Sequence, residues 1–194
     1  MNKNWSLILV VAFSLGFGLK LFFDNQQDQT GNTPTQSAAL FEGANQQNVD
    51  LFDETDPRIR VVYFGFTHCP DVCPTSLAML SAALKQLDPA QQDKIRPIFI
   101  TLDPERDVAS KAHEYAQYFH PSIEGLSAPI EVTKPLAEKY GVVFKRTELK
   151  ESQLVYTIDH NSYFYFLQPN GELITKVSHT LNPAPIVLAI ENLQ

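Results

Sequence analysis

Cys69 and Cys73 are the only thiols in a chain of 194 residues. Pro70, Asp71 and Val72 separate them, and two different kinds of sequence flank them. Before them, Val61, Val62, Tyr63, Phe64 and Phe66 form a run of β-branched and aromatic residues, the pattern of a strand buried on both faces. Gly65 and Pro70 end that run. After them, Pro74 and Thr75 open a helical pattern. Both thiols are therefore expected in the turn between a buried strand and a helix N-terminus, where free amides and the helix dipole favour thiolate over thiol. Such a pair can close a reversible disulfide or hold a soft metal as two thiolates. The spacing is one residue wider than the C-x-x-C of thioredoxin-like reductases, which leaves more room for a metal between the sulfurs. Two sulfurs complete only a linear site, so a third ligand must come from elsewhere.

The chain has five histidines. His113 lies in a helical stretch beside Lys111 and Glu114 and reads as surface. His120 ends that helix before Pro121. His179 falls past a hairpin, in an exposed turn. His68 adjoins Cys69 and can shape its loop or lower its pKa. His160 sits in YTIDHNSYFYF, between two apolar runs at the mouth of a strand, where the sites of open α/β sheets gather. By position alone, a satisfied structural histidine is the better reading of it. Met79, at a helical spacing, reads as core filling.

The elements that must position these groups are legible from periodicity. Leu77, Leu80, Leu84 and Leu87 recur at helical spacing and predict an amphipathic helix over 75–87. RPIFITL, 96–102, is a second buried strand. Val108, Ala112, Tyr115, Ala116 and Phe119 mark a second helix. Thr133, Pro135 and Gly141 predict a short helix from 133 to 140, capped at Thr133. Strands are expected over 142–144, 154–158, 162–167 and 172–177, the last two joined by the turn Pro169-Asn170-Gly171. A closing helix runs over 183–193. Helices alternating with buried strands imply a mixed sheet covered on both faces, parallel at the start and antiparallel at the end. The stretch 41–58 predicts one short strand around Val49, Leu51 and Phe52, then a turn at Asp56-Pro57.

Composition bounds the function. The chain is 44% hydrophobic and 19% charged, and its formal net charge of −7 argues against nucleic acid as a partner. The first segment is different in kind. Residues 5–23 read WSLILVVAFSLGFGLKLFF, 19 residues with one charge, Lys20. At about 1.5 Å per residue this is long enough to span a bilayer. No small-x-small cleavage site follows it, so residues 1–23 read as an uncleaved membrane helix. Residues 24–40 read as a polar linker and 41–194 as one domain. Lys3 ahead of the apolar run, with Asp24 and Asp28 behind it, places the N-terminus in the cytoplasm and the domain on the periplasmic side of a bacterial inner membrane. A cysteine pair can be oxidised there.

Residues 60–194 resemble the Sco (SenC) family of copper proteins, which serve the assembly of cytochrome c oxidase. YFGFTHCPDVCPTSL at 63–77, FITLDPERD at 99–107 and TIDHNSYFYFLQPNGEL at 157–173 carry the resemblance. It implies a thioredoxin-like fold. It also implies one copper ion, Cu(I) or Cu(II), held by Cys69, Cys73 and His160. Soft thiolates suit Cu(I), and an imidazole closes a trigonal site. A carboxylate, Asp159 or Asp71, is expected to orient the His160 ring. Asp103 and Asp107 are expected to cap the helix that follows them. One departure stands out: family members usually carry a hairpin with an Asp-Gly turn ahead of the cysteine strand, and 41–58 lacks that turn.

Two roles follow from the resemblance. One is a copper metallochaperone, a binding protein that serves the copper A centre of the oxidase subunit carrying it, with other periplasmic copper or thiol-redox proteins as further partners. The other is a thiol–disulfide oxidoreductase that reduces the acceptor's own cysteines. General thioredoxin-type catalysis is disfavoured. Its proline before the strand facing the cysteines has no counterpart, since none occurs from 136 to 168 and His160 stands in that region. A peroxidase of the peroxiredoxin type is disfavoured too. The expected threonine three residues before the reactive cysteine is replaced by Pro70 for Cys73 and by Phe66 for Cys69.

Overall fold

The computed structural model describes Lys20, residues 40–150 and residues 152–193. The membrane helix and linker expected over 1–40 lie outside these, apart from Lys20 and Leu40. No helix among the described residues is long and apolar enough to cross a membrane.

The chain order is β1 (Leu40–Glu42), β2 (Asn48–Asp50), β3 (Ile59–Gly65), α1 (Val72–Leu84), α2 (Pro89–Gln92), β4 (Ile95–Thr101), α3 (Ala109–Phe119), β5 (Glu124–Leu126), α4 (Ile130–Lys139), β6 (Phe144–Glu148), β7 (Tyr156–His160), β8 (Tyr163–Leu167), β9 (Leu173–Ser178) and α5 (Ala184–Glu191). The main sheet has strand order β5-β4-β3-β8-β9. β3 pairs in parallel with β4, and β4 with β5; β8 runs antiparallel to β3 and to β9. This is the mixed sheet expected from the sequence. It is covered on both faces: α1 packs on α3 and α5, while Tyr140, next to α4, stacks on Tyr165 of β8. β3 and β4, the two apolar runs, lie at the centre and are buried almost throughout. Pro97 is tolerated inside β4 because β5 pairs only with residues 98–100, so no neighbour needs the amide that Pro97 lacks.

α1 begins three residues earlier than its leucine periodicity indicates, so Cys73 lies in its first turn. Leu77, Leu80, Leu84 and Leu87 are all buried, as expected. α4 also begins early. Thr133 is not its cap: it lies inside the helix, and its hydroxyl donates back to the Ala128 carbonyl at 3.3 Å. The strands expected at 142–144 and 154–158 are shifted to β6 and β7, which form a two-stranded sheet of their own.

The stretch 41–58 holds more than the single strand expected. β1 and β2 form an antiparallel pair, closed by the Gly43–Gln47 backbone bond at 3.0 Å without an Asp-Gly turn. Arg60 organises the rest. Its side chain is fully buried and donates to the carbonyls of Leu51 at 3.0 Å, Asp53 at 2.6 Å and Asp56 at 2.7 Å, and also to that of Arg58. A buried guanidinium is tolerable when its donors are filled in this way.

Candidate metal centre

β3 ends at Gly65, and the turn carrying Cys69 leads directly into α1. A Cβ on Gly65 would stand 3.0 Å from Cys73 Sγ, from a Phe99 ring carbon and from a Tyr63 ring carbon. Glycine is therefore what lets the Cys73 thiol settle on the central strand. Cys73 is completely buried, whereas Cys69 is half-buried. The Cys69 sulfur accepts from the Cys73 amide at 3.3 Å, as a helix N-terminus allows.

The two thiols are electrically unequal. The Cys73 thiol, hydrogen-bonded to the Cys69 sulfur, and the amides of Cys73, Asp71 and Val72 hold the Cys69 pKa down to about 6, against the opposing effect of burial. The same bond, with burial and the Cys69 charge, pushes Cys73 far above the ordinary thiol range. At neutral pH the pair is one thiolate and one thiol that share a proton.

His160 completes the group. It closes β7, and Tyr63 and Phe66 meet it edge-on, with ring centroids 6.5 and 6.2 Å away. Its Nδ1 lies 3.0 Å from the Asn161 carbonyl. A carbonyl can only accept, so Nδ1 carries the hydrogen and Nε2 presents its lone pair. That lone pair faces Cys73 Sγ at 3.6 Å. Burial holds the imidazole pKa below its usual value, which keeps the ring neutral. The Cys73 proton therefore has two acceptors, Cys69 Sγ and His160 Nε2.

This donor set fits a soft cation. Metal–sulfur and metal–nitrogen bonds of about 2.3 and 2.0 Å, opened to a trigonal or tetrahedral angle, put S and N roughly 3.6 Å apart. Cys73 and His160 already have that separation. Among the described residues, no three His, Cys, Asp or Glu side chains are gathered as a ready-made metal cluster. A cation held by all three side chains would need Cys69 and His160 brought onto one side of Cys73.

The expected carboxylate on His160 is not what orients the ring; the Asn161 carbonyl does that. Asp159 points along the hairpin and accepts from Thr147 at 2.6 Å. Asp71 is exposed, and its backbone carbonyl accepts the Thr75 hydroxyl at 2.8 Å. Nor do Asp103 and Asp107 cap α3, whose cap residue is Val108 and has no side-chain cap bond. Asp103 accepts the Tyr156 hydroxyl at 2.7 Å. Asp107 accepts from the Thr67 amide and from the Thr101 hydroxyl, each at 2.8 Å. His68 reaches toward this carboxylate, with Nδ1 3.6 Å from it. His179 is not in a free turn: its Nδ1 lies 2.7 Å from the buried Ser76 hydroxyl on α1. Tyr63 is a site residue that its place in an apolar run concealed. Its hydroxyl, 2.8 Å from Ser162, lies beside Cys73.

The SCO1/SenC family model matches residues 29–194. The SCO1 homolog 1 of Arabidopsis thaliana mitochondria is 32% identical over 180 residues, covering 84% of this chain and 53% of that protein. The chain spans about half the length of the curated relatives it matches. Apo Sco1 from Thermus thermophilus superposes with a TM-score of 0.70 at 32% identity, covering 80% of this chain and 89% of that one. Arabidopsis ScoI with copper bound gives 0.68 at 30% identity, covering 78% and 92%. The thioredoxin-like arrangement expected from the sequence is the one these structures share. The chain belongs to the SCO1/SenC family.

Proposed function

We propose that this protein binds one copper ion as cargo through Cys69, Cys73 and His160 and serves the copper A centre of cytochrome c oxidase. It acts as a binding protein rather than an enzyme. The observation that carries this reading is the His160 Nε2 lone pair aimed at the Cys73 sulfur from 3.6 Å. One thiolate, one thiol and one neutral imidazole form a donor set that takes Cu(I) on release of a single proton. That a solved Arabidopsis relative holds copper supports the same cargo. The test is titration of the full chain with Cu(I) and Cu(II), with Cys69→Ser, Cys73→Ser and His160→Ala alongside. One copper per chain, a thiolate charge-transfer band for Cu(II) and loss of tight binding in all three variants are expected. Unchanged affinity in His160→Ala overturns the trigonal site.

The asymmetry of the thiols favours a second reading, reduction of an acceptor's disulfide. The accessible Cys69 thiolate attacks one acceptor sulfur, forming a mixed disulfide and releasing the other acceptor sulfur as thiolate. Cys73 then loses its proton and attacks Cys69. The Cys69–Cys73 disulfide forms, and the second acceptor thiolate leaves. Trapping a mixed disulfide to Cys69 in the Cys73→Ser variant, with an oxidised copper A subunit as acceptor, tests it.

We infer that residues 1–23 anchor the domain on the periplasmic face of the inner membrane, with 24–40 as tether. The single charge of residues 5–23 and the Lys3/Asp24 asymmetry support this. Carbonate-resistant membrane association, lost on deletion of 1–23, is the expected result.

A further inference from the structure

The turn 103–107, Asp-Pro-Glu-Arg-Asp, leaves the end of β4 and touches neither Cys69 nor His160, yet it holds the supports of both. Its own backbone is closed by the amides of Arg106 and Asp107, which donate to the Asp103 carbonyl at 3.1 and 2.9 Å. At one end, the fully buried Asp107 carboxylate takes the Thr67 amide at 2.8 Å and the Thr67 hydroxyl at 2.5 Å. Thr67 lies two residues before Cys69, in the turn that brings the cysteine back to the Phe66 carbonyl at 3.3 Å.

At the other end, Asp103 accepts the Tyr156 hydroxyl at 2.7 Å and also pairs with Arg106. The Arg106 guanidinium lies 3.6 Å from the Tyr156 ring centre, and its Nη1 donates to the Leu154 and Tyr156 carbonyls, both at 3.1 Å. Tyr156 opens β7, the strand that His160 closes. Glu105, between the two ends, takes Arg146 of β6 at 3.0 Å. Arg146 also stacks on Tyr156, 3.6 Å from the ring centre.

We propose that this turn is a bracket that sets the distance between the two halves of the site, with Arg106 as a positioning residue acting through Tyr156 on His160, and Asp107 acting through Thr67 on Cys69. The proposal rests on the reading of His160 as a copper ligand. It assigns separate effects to the two ends of one short segment. A planar guanidinium that donates to two carbonyls and stacks on a ring cannot be replaced by a flexible amide without freeing the start of β7. Supports of this kind, one step removed from a metal ligand, typically carry about 10- to 100-fold in affinity.

The experiment is a double-mutant cycle on the full chain, with Cu(I) affinity read by competition against a chromophoric chelator. Arg106→Gln is expected to weaken Cu(I) binding about tenfold in the wild-type background and not at all in His160→Ala. Its Cu(II) paramagnetic resonance spectrum should move toward that of His160→Ala, a change that general destabilisation does not produce. Thr67→Val should weaken binding in the wild-type and His160→Ala backgrounds alike, because it acts on Cys69. Tyr156→Phe keeps the ring under Arg106 and loses only the Asp103 bond, so it provides a milder variant that retains the fold. Equal weakening by Arg106→Gln in both backgrounds, or no weakening while His160→Ala is weak, overturns the bracket alone. If His160→Ala binds as tightly as wild type, the ligand reading fails and the bracket falls with it.

Discussion

The two halves of the site are held by different physics. The cysteine half belongs to the core. Cys73 sits against the central strand, with Tyr63 and Phe99 crowding the space over Gly65, and any movement of it disturbs close packing. The histidine half belongs to a small two-stranded sheet, β6–β7, whose β6 is largely exposed. β7 reaches the core through Tyr156 and Ile158, and polar contacts fix its two ends: Tyr156 on the 103–107 turn, and the Ser162–Tyr63 hydroxyl bond just past His160. Packing resists displacement steeply, whereas individual polar contacts contribute modestly and exchange with water. On the proposed copper reading, the buried Cys73 sulfur is the fixed ligand and the imidazole is the group that yields to an acceptor.

This contrast can be broken or sharpened, and the largest effect should come from the buried sulfur. Cys73→Ser is expected to lower Cu(I) affinity more than about 100-fold, beyond the loss in His160→Ala, by competition titration. If His160→Ala costs more, the histidine is the anchor and the assignment of halves is reversed. Next in size, Gly65→Val should destabilise the fold by about 2 kcal/mol in urea denaturation, because added methyl groups meet Cys73 and two rings at once. A neutral result would show that the cysteine half has slack.

The third effect is in pH. Because the Cys69 pKa is lowered to about 6, the thiolate predominates above that value and is lost as pH falls through it. Alkylation of Cys69 by iodoacetamide should therefore be near its plateau at pH 7 and fall about tenfold per unit below pH 6, with Cys73 unreactive throughout. The smallest effect is expected on the hairpin's outer edge. Asp159→Asn keeps its bond to Thr147 and should change copper affinity by less than about twofold.

Much of the framework was legible in the residues. The apolar runs at β3 and β4, the leucine spacing of α1 and the turn between β8 and β9 each satisfy a local rule that the tertiary structure does not override. Several of the misses share a cause, a partner far along the chain. β5 is three residues long and has no pattern of its own. It exists because Gly125 lets the backbone press on α3, where an added Cβ would stand 2.1 Å from the Ala112 carbonyl oxygen. The reach of Asp107 to Thr67 across 40 positions and the His179–Ser76 contact across 103 are invisible to any local period, and the burial of Arg60 rests on a local coil of carbonyls that has no period at all. The site was read more completely than its supports. Cys69 and Cys73 carry a local signature. His160 was placed by resemblance, and the structure sets it against Cys73. Asp103 and Asp107 escape a local reading because the helix start downstream offers them a plausible local use.

The proton shared around Cys73 has a consequence in charge accounting. Before loading, the centre holds one negative charge: a Cys69 thiolate, a neutral Cys73 thiol and a neutral imidazole. With two thiolates, one imidazole and Cu(I), it again holds one. Exchange of a proton for cuprous ion would be isoelectric, so the low-dielectric surroundings of β3 would take on no added net charge in the proposed site. Cupric ion, by contrast, would bring the same cavity to neutrality. Burial would therefore make the two oxidation states of a copper ion at the proposed site electrostatically unequal.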